Sequence, residues 1–470
     1  MLRYKREWGI GMIRELRIKN FKGWQDTGLI KMAPLTVFFG ANSSGKSSIG
    51  HLLLTLKQTV DNPDRKTIIF PGGNNSPMQF GSLQNLIYHR KIGNTIEFEY
   101  LWDLPKTIQI FDTINENKFT GNMMRFSASI KLTDYKTSEV EHFTYGLLND
   151  TKEALSVSMK KNNSKSSYEI KANNYKLVKT QGRAWEIGAP VRFYGFPETV
   201  VAYHQNADFV QTLNLQQERL YGSIYYLGPL RNSPLRLYTW PGSEPESAGY
   251  SGENSIHAIL AAQSRKMNMG KKKKLMLFQE VIAEKLKEMG LIEEFHVTPI
   301  SEGHQTYEVK VRAKGSDDLV NLPDVGFGVS QVLPVLVQLF YVPANSIIIM
   351  EQPEIHLHPS AQAILADVMI DGILSCEDGK ERGIQLIVET HSEHFLRRLQ
   401  RRIAENVISN DKLAAYFADA NIKPPRLEAL KVDSYGNILN WPDGFFGDEM
   451  EDIAAQSLAA MQKRAKGKGQ

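Results

Sequence analysis

Near the N-terminus, Gly40-Ala41-Asn42-Ser43-Ser44-Gly45-Lys46-Ser47 fits the spacing G-x-x-x-x-G-K-[ST]. Gly40 and Gly45 let a backbone wrap closely enough for its N–H groups to converge on phosphate oxygens. Lys46 supplies a compact positive charge for β- and γ-phosphates, and Ser47 a hydroxyl for magnesium. Asn42, Ser43, Ser44 and the following Ser48 complete the candidate phosphate cradle. The chemistry indicated is binding of ATP or GTP.

Three later stretches carry groups that suit the same chemistry. In "SIIIMEQPEIHLHP", Ile347 to Met350 read as a buried parallel strand that delivers Glu351 to a polar edge. There Glu351 can hold magnesium through water, opposite Ser47. Gln352 follows at the place where a nucleotide hydrolase of this look carries a second carboxylate. A second apolar strand, "QLIVET", ends at Thr390-His391-Ser392. A histidine just past a strand end can reach a γ-phosphate from the far side. In "LPDVGFGVSQVLPVLVQLF", Gly326, Gly328 and Ser330 open an apolar helix whose first N–H groups can hold a second anion. Read alone, that stretch is a glycine turn opening a core helix. Pro334 belongs in its first turn or bends it.

These groups need elements to hold them. "LTVFF" is a short strand leading into the glycine-rich loop, and "SIGHLLLTLKQTV" has helical spacing that stops before Pro63. Ile13, Leu16 and Ile18 mark an earlier strand. Residues 65–200 are strand-like with turn signals, 254–290 more helical, and 295–440 alternate strand and helix. "DIAAQSLAAMQKRAKGKGQ" reads as a short helix running into basic residues. There is no internal repeat and no sustained heptad pattern.

Composition bounds the class. A chain of 470 residues with 42% hydrophobic and 23% charged residues has the profile of a soluble globular protein. A net charge of +4 implies no whole-surface attraction to nucleic acid. One cysteine, Cys376, excludes an intramolecular disulfide and a cysteine-built zinc site. No apolar stretch reaches the roughly 20 residues that span a bilayer, and no signal-peptide core follows the basic N-terminus. The expected location is the cytoplasm.

The order of these motifs resembles the ABC-type ATPases of the SMC/RecF and OLD-like branch. "LRIKNFKGWQDTGLIKMAPLTVFFGANSSGKSS" looks like the start of such proteins. "YYLGPLRNSPLRLY", "DVGFGVSQVLPVL", "IIIMEQPEIHLHP", "VETHSEHFLRRLQRRI" and "VDSYGNILNWPDGFF" resemble stand-alone bacterial ATPases with a C-terminal domain of unknown function. The likeness covers most of residues 12–447 and implies an α/β fold: a two-lobed ABC-type P-loop NTPase head, a mixed sheet with flanking helices. A long β-rich and helical insertion separates the lobes.

The divisions expected are an N-terminal lobe at 12–110, a β-rich insertion at 111–205, a mixed insertion at 206–320, a C-terminal lobe at 321–447 and a basic tail at 448–470. The resemblance gives Lys46 and Ser47 phosphate and magnesium roles, makes Glu351 the Walker B acid and His391 the switch histidine, and makes Gly326–Gln331 the signature. Gln79 or Gln84 would be the lobe-linking glutamine. It also implies ATP and Mg2+ as ligands and a homodimer closing head to tail over nucleotide, within a larger homo-oligomer in some arrangements.

Two departures stand out. Gly326 occupies the place of the usual signature serine, with Ser330 displaced, and Gln352 occupies that of the residue polarising water. An amide can orient water but does not take its proton. Losing a positioned base costs about a hundred- to ten-thousand-fold, so slow hydrolysis and a long-lived closed state are expected. Glu354 is the preferred compensating base, ahead of His356 and His358. Slow turnover suits a switch.

The chain is similar in organisation to the ATPase subunits of Septu- and PARIS-type antiphage systems, implying an effector, nuclease or TOPRIM-like, supplied in trans. Asp433 lacks the acidic partners of a two-metal nuclease, so no nuclease centre is expected in this chain. A RecF-like DNA-processing ATPase is the alternative. For DNA, Lys271–Lys274, Arg397-Arg398 with Arg401-Arg402, and Lys463–Lys468 are the basic clusters, each also readable as a solvated face.

Overall fold

The computed structural model describes residues 11–442, 455–461 and 463, apart from 163–166, 183–185, 271–272, 302 and 421. Lys271, Lys272 and the basic tail from 464 to 468 lie outside the described residues. In chain order the elements used below are β1 (Ile13–Phe21), β2 (Leu35–Gly40), α1 (Lys46–Asp61), β3 (Thr95–Asp112), β4 (Asn117–Leu132), β5 (Ser138–Asn149), β6 (Lys152–Lys161) and β7 (Tyr168–Asn173). Then come α2 (Phe209–Gly222), β8 (Ile224–Leu227), α3 (Phe278–Glu288), β9 (Ile292–Pro299), β10 (Thr306–Ala313), α4 (Phe327–Tyr341) and β11 (Ile347–Glu351). The C-terminal part supplies α5 (Pro359–Leu374), β12 (Gln385–Glu389), α6 (Glu393–Ala404), β13 (Leu413–Asp419) and β14 (Arg426–Leu430).

The sheet that positions the site has six strands in the order β8-β11-β12-β2-β13-β14. All neighbours pair parallel except β14, which is antiparallel to β13. Both faces are covered, so the strands are apolar throughout rather than alternating. Odd and even residues nonetheless enter different cores. Leu35, Val37, Phe39, Ile348, Met350, Leu386 and Val388 pack with α3, α4, α5 and α6. Phe38, Ile347, Ile349 and Ile387 pack with α1, α2 and the second sheet. Truncating one such side chain, Ile349→Ala for instance, costs about 2–5 kcal/mol.

The second sheet is antiparallel and eight-stranded: Trp24–Asp26, β1, β3, β4, β5, β6 and β7 in order, with Ile30–Lys31 also on β1. The strand β3 runs unbroken past residue 110 with one register shift between Asp103 and Ile108. The expected division at 110/111 therefore falls inside one strand, because the turn that ends it is at 113–116. Its partner β1 is also clipped to the parallel sheet. The Gln385 amide accepts from the Ile13 N–H at 2.9 Å and donates to the Ile13 and Ala33 carbonyls at 2.8 and 3.2 Å. A smaller four-stranded sheet, Tyr238–Thr239, β10 and β9 with Leu319–Asn321, precedes α4.

In α4, Pro334 sits in the helix interior rather than its first turn, leaving the Ser330 carbonyl without its usual i+4 donor. No helix among the described residues is long and apolar enough to cross a membrane.

Candidate nucleotide site

The glycine-rich loop leaves β2 at a position only glycine tolerates. Gly40 has φ 140°, and a Cβ there would stand 2.5 Å from the Ala418 carbonyl oxygen. Gly45 has φ 92° and lies on the Trp24 indole, whose Nε1–H donates to the Gly45 carbonyl at 2.9 Å. Helix α1 then starts with no side-chain cap and no acid in its first turn. Its N–H groups and dipole are left for an anion.

Within the loop Ala41, Asn42 and Ser43 are exposed, whereas Ser44, Lys46 and Ser48 are buried. Lys46 Nζ donates to the Gly40 and Ala41 carbonyls at 3.0 and 2.7 Å and to Ser44 Oγ at 3.4 Å. Burial lowers its pKa, and Glu389 and Glu354 oppose that shift.

Three parallel strands end beside this loop. Glu351, the last residue of β11, accepts at Oε1 from His51 Nε2 at 2.9 Å and from the Tyr226 hydroxyl at 3.0 Å. His51 lies one turn into α1, and its Nδ1 is 2.7 Å from Lys22 Nζ. The ammonium can only donate, so Nδ1 is the acceptor and Nε2 carries the proton given to Glu351.

Glu389 ends β12 directly across from Glu351 in the register. Its Oε1 is 3.9 Å from Lys46 Nζ, and the Ser47 hydroxyl lies beside the carboxylate. Burial, with Glu351 and Glu354 nearby, pushes its pKa up to about 7 against the opposing pull of Ser47 and Lys46.

The loop after β11 is fixed by its backbone. Gln352 has φ 44°, its N–H donates to the Glu389 carbonyl at 2.8 Å, and Arg231 Nη2 donates to the Glu351 and Gln352 carbonyls at 3.3 and 3.2 Å. Glu354 is buried, and its Oε1 accepts the His391 N–H at 2.8 Å while Oε2 has no hydrogen-bond partner. Burial raises the Glu354 pKa. The His391 ring bonds the Gly40 backbone, and burial followed by Lys46 lowers its pKa. Glu351, Glu354, His391 and the glycine-rich loop thus form one locality, with Gln352 at its edge.

The remaining expected residues lie elsewhere. Gly326 caps α4 and is exposed, as is Phe327 at 63%, which packs edge-on to His356 at 5.5 Å. A Cβ on Gly328 would meet the His356 carbonyl at 3.6 Å. The Ser330 hydroxyl is turned inward, donating to the Phe327 carbonyl at 2.9 Å. This helix start, too, has no side-chain cap and no first-turn acid. The His358 ring caps α5 through Ser360, and His356 is exposed. Gln79 and Gln84 donate to Asn74 and Arg90 carbonyls in their own loops, while Phe80 between them lies under Lys22 at 4.9 Å.

The arginines of α6 are paired: Arg397 with Glu393, Arg398 and Arg402 with Asp367, Arg401 with Glu405. The Asp433 carboxylate closes a turn on Tyr435 and Asn437. Glu389, His51, Lys22, Trp24 and Arg231 were not foreseen. Only the strand-end place of Glu389, one residue before Thr390-His391, could have flagged it.

Among the described residues no three His, Cys, Asp or Glu side chains form a cage for an ion. Magnesium bound with a nucleotide needs no such cage, since one or two carboxylates, phosphates and waters suffice. The uncapped start of α1 and the oxygen donors Ser47 and Glu351 fit Mg2+ and a triphosphate.

No curated protein matches the chain. Solved structures similar to it include an SMC head bound to the C-winged helix domain of ScpA, at 10% identity and TM-score 0.42, covering 90% of this chain and 98% of that one. The SMC head domain from Thermotoga maritima matches at 12% identity and TM-score 0.37, over 89% and 99%. An SMC head with an extended coiled coil, bound to the C-terminal domain of ScpA derived from Pyrococcus furiosus, matches at 10% identity and TM-score 0.41, over 89% and 96%. Residues 408–456 match the family described as "Protein of unknown function (DUF3696)". Residues 35–397 match the family described as "AAA domain, putative AbiEii toxin, Type IV TA system", and the chain belongs to that AAA-domain family.

Proposed function

We propose that this chain is a slow, magnesium-dependent ATPase that works as a switch between two nucleotide-closed heads. The observation that carries the reading is the convergence of Lys46, Glu351, Glu354 and His391 at the ends of adjacent parallel strands, under an uncapped helix start. Bound Mg2+ would neutralise phosphate charge and align the terminal phosphate. Lys46 would hold the β- and γ-phosphates, and Ser47 and Glu351 would hold the ion. The lytic water is oriented by Gln352 and gives its proton to Glu354. The bond from Glu354 to the His391 N–H ties the base to the histidine that senses the terminal phosphate.

The exposed Gly326–Phe327 end of α4, remote from the loop in its contacts, supports a second copy whose uncapped helix start closes over this nucleotide. A long-lived closed dimer suits control of an effector in trans in antiphage defence, and the toxin–antitoxin description of the family is compatible with such restraint. Among the described residues the α6 arginines do not support the DNA-processing alternative, because Arg398 and Arg402 are paired with Asp367.

Multiple-turnover phosphate release by wild type and Lys46→Ala, with sedimentation of Glu354→Gln in ATP, tests the reading. Slow release lost in Lys46→Ala, with an ATP-stabilised dimer in Glu354→Gln, is the expected result. Fast release, or no uptake of ATP with magnesium, rejects it.

A further inference from the structure

We infer that Glu389 is a second carboxylate ligand of the divalent ion, acting with Glu351 and Ser47. The inference rests on the nucleotide reading above and concerns a residue that reading does not use. Strands β11 and β12 pair parallel with Glu351 opposite Glu389. Directly paired residues point to the same face, with strands about 4.8 Å apart. The two carboxylates therefore project side by side from one sheet end.

Their compensation is unequal. Glu351 Oε1 takes hydrogen bonds from His51 and Tyr226. Glu389 is 9% exposed, its Oε2 has no hydrogen-bond partner, and its cation is Lys46, 3.9 Å from Oε1 and already bonded to two loop carbonyls. Glu354 adds a third buried acid, again with an orphaned oxygen.

Buried carboxylate oxygens without donors are costly, and adjacent carboxylates repel. A hard divalent cation resolves both, since it bonds carboxylate oxygens directly and offsets their charge. The Ser47 hydroxyl, expected on the metal, lies against this same carboxylate. That places Glu389 on the ion's side of the loop, as distinct from Glu354, which is bonded to the His391 backbone. The competing role for Glu389 is that of a fixed counter-ion to Lys46.

The test uses the full chain with a non-hydrolysable ATP analogue. Free Mn2+ is counted by electron paramagnetic resonance at saturating nucleotide, and nucleotide affinity is measured separately in EDTA by calorimetry. Glu389→Gln, which keeps shape, should weaken Mn2+ uptake at least tenfold with nucleotide affinity in EDTA held within twofold, and Glu389→Asp should recover part of the loss. Unchanged Mn2+ affinity in Glu389→Gln overturns the inference. An equal loss in EDTA also overturns it, by assigning the residue to Lys46 alone. Wild type that binds nucleotide in neither condition rejects the nucleotide reading itself, and the inference with it.

Discussion

Replacing Glu354 by Gln separates its two jobs. The carboxylate accepts the His391 N–H at 2.8 Å through Oε1, and the side-chain oxygen of glutamine can accept the same bond. The switch loop should therefore stay in place, and Tm should shift little. What the substitution removes is the proton-accepting oxygen Oε2, which is buried and unpartnered. Loss of a positioned base costs about 10²- to 10⁴-fold, so kcat should fall by that factor with KM for ATP near the wild-type value. Glu354→Ala should behave differently, since it leaves the part-buried His391 N–H without its acceptor at a cost of about 1 kcal/mol. Burial raises the Glu354 pKa, so wild-type kcat should climb with pH through a value above the ordinary carboxylate range, and Glu354→Gln should flatten that limb. Single-turnover and steady-state phosphate release, read across pH, measure all of this. Glu354→Gln turning over at the wild-type rate would refute the base assignment.

Gln352→Glu should raise turnover about tenfold or more by adding a carboxylate at the loop beside Glu354, read in the same assay. Trp24→Ala removes a fully buried indole beneath Gly45 and should cost about 3–5 kcal/mol in chemical denaturation, while raising KM for ATP. In nucleotide-free protein with EDTA, Glu389→Gln should be near neutral below about pH 4.5 and stabilising above pH 7. The folded-state pKa of Glu389 is raised from 4.5 to about 7, so the wild type loses stability as pH rises across that window, on the order of 3 kcal/mol in all. Denaturant melts at both pH values check the sign. Arg398→Ala should leave DNA affinity and its salt slope unchanged, because its guanidinium is engaged by Asp367 at 2.7 Å.

The parts of the site visible in the sequence are those whose chemistry is local. Gly40 to Ser47 is a contiguous loop with its strand and helix on either side, and Glu351 and His391 each close an apolar run. The parts that were not visible depend on register between distant segments. Glu389 matters because β12 pairs with β11 residue for residue, and Trp24 because a hairpin of the other sheet folds beneath the loop. The α6 arginines read as a basic stripe until Asp367, which lies 31 positions before Arg398 and 35 before Arg402, is brought against them. The strand β3 escaped its true length because Pro105 and the exposed run to Thr107 interrupt its alternation, while pairing with β4 resumes at Ile108.

The bond from Lys22 to His51 and on to Glu351 gives the antiparallel sheet a direct line to the strand tips. Lys22 follows the last residue of β1, and β1 is laced to β3 and clipped by Gln385 to β12. The large sheet is thereby joined to the tip of β11 by two successive side-chain bonds, so replacing Lys22 would alter the surroundings of Glu351 without touching the glycine-rich loop.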